Sequence, residues 1–64
     1  TTTVNYVVKI NTDVLNVRKE PNANATVVTT VKKGQAYTIV AESNGWGKLK
    51  SGIGWINLSY TIKM

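Results

Sequence analysis

The chain contains no cysteine and no histidine. The first absence removes the disulfide staple, and the two together remove the usual ligands of a structural zinc site. Lack of histidine also removes the side chain that most often serves as a general acid or base near neutral pH. No thiol nucleophile exists, and no serine has an imidazole to activate it. Only three carboxylates are present, Asp13, Glu20 and Glu42. Each sits in or beside a turn signal, and no spacing pairs them for acid–base work. Gly52-Ile53-Gly54 is too short and wrongly placed to cradle a phosphate. These residues give catalysis no chemical footing, and neither a cofactor nor a metal is expected. No apolar run approaches the ~18 residues that span a membrane. No basic-then-apolar leader opens the chain. It begins with Thr1 rather than Met, which reads as a piece of a longer protein with its targeting signals elsewhere.

What is present is β-forming. Val, Ile and Thr make up 23 of the 64 residues. Such side chains are stiff at χ1 and suit a pleated, half-buried surface. No helical apolar stripe is long enough to compete. The length allows a single domain over residues 1–64, with a core drawn from Val, Ile, Leu, Tyr and Trp. A domain this small is expected to be stable by only a few kcal/mol.

Residues 1–5 are polar and read as a frayed end or linker. Tyr6–Ile10 reads as a strand. In Leu15-Asn16-Val17-Arg18 the period of two sends Leu15 and Val17 to the core and Asn16 and Arg18 outward. The Pro21 loop follows, then a strand over Thr26–Val31 and a turn at Lys32-Lys33-Gly34. Ala36–Ala41 forms a strand with Tyr37, Ile39 and Ala41 on one face. Asn44-Gly45 between apolar runs predicts a type I′ hairpin turn, because both residues tolerate positive φ. In Trp46–Lys50, Gly47 and Leu49 share one face, and Trp46, Lys48 and Lys50 the other. Ser51-Gly52 turns into Gly54-Trp55-Ile56, Asn57–Tyr60 reads as a 3-10 turn, and Thr61–Lys63 as a last short strand. The fold class is all-β, with five to six short antiparallel strands. So many exposed ladder edges favour closure into a small barrel.

In this order and at these spacings the pieces resemble the bacterial SH3 domain. They are Leu15-Asn16-Val17-Arg18, a Pro-containing loop, Val27-Val28, Val31-Lys32-Lys33-Gly34, Ser43-Asn44-Gly45-Trp46, Lys48-Leu49 and Gly54-Trp55-Ile56 with Tyr60. The resemblance covers roughly residues 14–61. It implies an SH3-like barrel. It also implies a non-catalytic module attached to peptidoglycan hydrolases of Gram-positive bacteria and their phages, where it holds the enzyme on the wall. The implied partners are peptidoglycan, through its glycan or peptide part, anionic wall polymers, and a catalytic domain in the same chain. The implied location is extracellular and cell-wall associated. The tail Gly54–Tyr60 also looks like the end of eukaryotic SH3 domains. However, Asn57 replaces their groove proline, and their acidic, tyrosine-bearing opening motif is absent, Arg18-Lys19 making the corresponding loop basic instead. Both departures count against PxxP-type recognition.

The net charge of +5 fits an anionic partner, and it is also ordinary for the solubility of a small domain. The lysines are scattered rather than clustered, which argues against nucleic acid. Six residues are the candidate contact surface: Asn16, Arg18, Trp46, Lys48, Trp55 and Tyr60. Indole rings offer flat faces to sugars and peptide backbones, plus a single N–H donor. Arg18 offers a planar fork to carboxylates and phosphates. The plain alternatives are that the tryptophans fill the core and that the cations lie on a solvated face. An extended peptide or a neighbouring domain is the alternative partner.

Overall fold

Asn44 and Gly45 adopt φ of 52° and 84°, and the pairs flanking them close a two-residue hairpin between Ser43 and Trp46. Left-handed values at both central residues are what a type I′ turn requires. Around this turn a computed structural model describes all 64 residues. The elements are β1 (Thr2–Ile10), β2 (Val14–Arg18), β3 (Val27–Lys32), β4 (Ala36–Ser43), β5 (Trp46–Leu49), β6 (Trp55–Asn57), a 3-10 turn (Leu58–Tyr60) and β7 (Thr61–Lys63). All pair antiparallel in a sheet ordered β3-β2-β6-β5-β4-β1-β7.

That sheet is strongly curled. Laid flat, seven strands would span ~29 Å and be ~10 Å thick. The molecule instead measures 24 × 22 × 19 Å. Curling lets one concave face enclose a core of Val8, Ile10, Leu15, Val17, Val31, Ile39, Leu49 and Ile56. The result is a small SH3-like domain, as expected, with seven strands instead of five or six. Its ladder does not close, since β3 and β7 end the sheet without bonding each other.

Two departures from the expected strand pattern have local causes. Residues 2–5 are strand, because Thr2 and Thr3 pair with Glu42 and Ala41 of β4. A polar segment with a tertiary partner is not a frayed end. The register also slips between Ile39 and Ala41, so Ala41 lies opposite Lys48 and Glu42 opposite Gly47. A bulge reverses the alternation, which takes Ala41 off the Ile39 face.

The slip brings Glu42 to Tyr6, whose hydroxyl donates to the carboxylate. Burial first, and then the bond and charge of Glu42, push the phenol from its usual value near 10 to about 12. Lys63 Nζ sits 4.4 Å from the centre of the same ring. The folded state therefore holds the Tyr6 proton more tightly than the unfolded chain does. Its contribution to stability is complete below pH ~10 and is lost as pH rises toward about 12. Denaturant melts of the parent against Tyr6→Phe, run from pH 9 to pH 12, check this. The parent should lose on the order of 1–2 kcal/mol more than the variant, after allowance for solvent screening.

Candidate functional site

β2 and β6 meet at a single ladder pair, Arg18 with Trp55. Past that pair the strands part, and the gap between them is a groove of about 430 Å³. Val14, Leu15, Asn16 and Arg18 of β2 form one wall. Trp46, Asn57 and Tyr60 form the other, with Thr12 and Ala23 contributed by loops. No other pocket occurs on the molecule.

The walls are held in place by hydrogen bonds that tie side chains and loops to the backbone. Asn57 caps the 3-10 turn, its Oδ1 accepting from the Ser59 N–H at 3.0 Å. The Asn11 N–H donates to the Tyr60 carbonyl at 2.9 Å, and Thr61 Oγ1 donates to the Leu58 carbonyl at 2.8 Å. These bonds fix the turn and leave the Tyr60 ring exposed. Trp46 and Asn57 are directly opposed in the β5–β6 ladder, so their side chains share the outer face. Arg18 Nη1 donates to the Ala25 carbonyl at 2.8 Å. That bond ties the guanidinium to the Pro21 loop, while its other N–H groups remain for a ligand. Neither Glu20 nor Glu42 bonds the Arg18 side chain; Glu42 accepts from Tyr6 instead.

Of the six residues expected to form the surface, Asn16, Arg18, Trp46 and Tyr60 line the groove together. Lys48 and Trp55 do not line it. They oppose each other in the β5–β6 ladder, and Trp55 also opposes Arg18, so the three share the outer sheet face, with Lys48 and Trp55 beside the groove. Neither tryptophan belongs to the core, which contains no aromatic residue. Both are half-buried. Among lining residues without an earlier signal, Thr12 and Ala23 come from loops, and Val14 reads locally as an ordinary strand end. Asn57 was legible as a replacement for proline, not as a groove wall.

The groove joins aromatic faces to neutral and cationic polar groups. Its polar groups are a guanidinium, two amides, an indole N–H, a phenol and a hydroxyl, and no carboxylate side chain lines it. No three His, Cys, Asp or Glu side chains cluster anywhere to hold a metal. No helix is long and apolar enough to cross a membrane.

A family model described as bacterial SH3 domain matches residues 13–62. A curated relative, a β-N-acetylglucosaminidase of Bacillus subtilis (strain 168), is 37% identical over 51 residues. The match covers 78% of this chain and 6% of that protein's length. No solved structure matches.

Proposed function

The chain belongs to the bacterial SH3 domain family, and we propose that it is the non-catalytic wall-binding module of a longer peptidoglycan hydrolase. The observation that carries this reading is the groove itself. Trp46 and Tyr60 stand beside Asn16 and Arg18 around a preformed cleft that no carboxylate side chain lines. The relative adds support. Its name is that of an enzyme acting on β-linked N-acetylglucosamine, and the segment it shares with this chain is a small part of it. A family module in such a protein acts as an accessory to a catalytic domain elsewhere in the chain. Its place is outside the cell, on the wall.

The mechanism is tethering. Modest affinity for a component repeated throughout the wall raises the local concentration of the attached catalytic domain. Trp46 supplies a stacking face, Tyr60 a second aromatic wall, and Asn16 and Arg18 polar contacts. Lys48 and Trp55 extend the surface along the sheet beside the groove. Wall polymers bearing carboxylate or phosphate are drawn to it by the net charge of +5.

The domain should co-sediment with purified Gram-positive peptidoglycan. Trp46→Ala should weaken that binding at least ~tenfold and leave the amide spectrum dispersed, because Trp46 lies outside the core. Absence of sedimentation with walls from several genera would overturn the proposal. A second reading uses another surface, where Val7, Ile62 and Met64 are exposed on β1 and at the C-terminal end. There the partner is a neighbouring domain of the same protein. It requires chemical-shift changes at those three residues with that domain, and none with wall fragments.

A further inference from the structure

We propose that the groove binds an extended peptide by strand addition to β2, with a carboxylate of that peptide held by Arg18. This deepens the wall-binding reading and rests on it: the peptide part of the wall, and not its glycan, is the ligand. The observation behind it is the direction of the backbone groups on β2. The Lys33 N–H donates to the Asp13 carbonyl at 3.3 Å, at the end of the β2–β3 ladder. Bonded and non-bonded pairs alternate along an antiparallel ladder. Asp13, Leu15 and Val17 therefore turn their N–H and C=O groups toward β3. Val14, Asn16 and Arg18 turn theirs the other way, toward β6.

Of these three, Arg18 alone has a ladder partner on β6, Trp55. The same register would next oppose Asn16 to Asn57, but the strands have parted there and both residues line the groove instead. The Leu49 N–H to Gly54 carbonyl bond, 3.0 Å, sets the alternation on β6 in the same way. It turns the Asn57 backbone into the cleft. The groove thus has a length of strand edge as its wall. Val14 and Asn16 present donor and acceptor pairs one strand repeat apart, ~6.8 Å, which is the spacing another main chain satisfies.

Charge selects further. Arg18 is the charged residue of the lining, with no carboxylate side chain opposing it. A guanidinium already anchored on one side by Ala25 is preorganised to take a carboxylate on the other.

The test is a set of amide-resolved NMR titrations on the whole chain. The probes are a sugar-free stem peptide released from Gram-positive wall, the same peptide with its carboxylates amidated, and an N-acetylglucosamine tetramer. The free peptide should shift the Val14 and Asn16 amides and slow their hydrogen exchange. The amidated peptide should bind about tenfold more weakly, and Arg18→Gln should erase that difference. Asn16→Pro deletes an N–H that faces the groove and leaves the β3 ladder bonds intact. It should weaken peptide binding about tenfold. If that variant does not fold, the parent with peptides N-methylated at one backbone amide at a time gives the same reading, with a loss at each amide that faces β2. Groove shifts with the tetramer and none with the peptide would overturn the inference. So would peptide binding that leaves Val14 and Asn16 unmoved. Walls that sediment the domain while the peptide fails to bind would sink the inference and spare tethering; failure of both would sink both.

Discussion

Ile39→Ala should leave no cooperative unfolding transition at 25 °C. Ile39 is fully buried, in the middle of β4. Its Cγ2 and Cδ1 already lie 3.0 and 3.1 Å from where a Cβ on Gly47 would stand, so the side chain is packed without slack against β5. Truncation removes three carbons and leaves a void that this tight surrounding cannot close, at a cost of ~3–4 kcal/mol. The core has only eight buried side chains, and no disulfide supports it. The loss therefore matches the whole stability expected of a domain this size, a few kcal/mol. Denaturant melts followed by tryptophan fluorescence, together with amide dispersion, check the outcome. Val28→Ala is the control. Val28 is 46% exposed on an edge strand, and its truncation should stay within ~0.5 kcal/mol of the parent. A cooperative melt for Ile39→Ala close to that of the parent would mean the core is not organised around β4.

Period-two alternation made the interior of this fold legible. Leu15 and Val17 are buried, with Asn16 exposed and Arg18 half-buried between and beyond them. Gly47 and Leu49 are buried while Trp46 and Lys48 are half-exposed. The Asn44-Gly45 turn was equally local, since its cause is the φ tolerance of two adjacent residues. What escaped was set by partners distant in sequence. Residues 2–5 look like a polar tail until β4 offers them a ladder. Nothing near Val40 announces the slip between Ile39 and Ala41, because a bulge is a property of two strands. The site divides along the same line. Alternation placed Asn16, Arg18, Trp46 and Lys48 outward, but only the parting of β2 from β6 decides which outward residues line a cleft. That parting leaves Asn16 in the groove and Trp55 beside it, although both face the same way.

Gly54→Ala should destabilise the domain by about 3 kcal/mol and abolish wall binding with it. A Cβ at Gly54 would stand 2.5 Å from the Arg18 carbonyl oxygen and 2.9 Å from Val17 Cγ1. The nearer neighbour is backbone, which cannot rotate away as a side-chain tip can. Relief requires β6 to back off from β2, at the very point where Arg18 and Trp55 form the ladder pair between them. Losing that pair frees the half-buried backbone donors and acceptors of Arg18 and Trp55 and splits β3-β2 from the five strands β6-β5-β4-β1-β7. The groove would lose its geometry too, because its two walls are referenced to each other through this contact. Gly34→Ala separates this cause from ordinary glycine strain. Gly34 has φ +91° and nothing within 4 Å of a new Cβ, so that change should cost only about 1–2 kcal/mol and preserve wall binding. Thermal melts and sedimentation of the two variants side by side give the comparison. If Gly54→Ala melts with Gly34→Ala and still sediments with the wall, the close approach of β6 to β2 is not what shapes the groove.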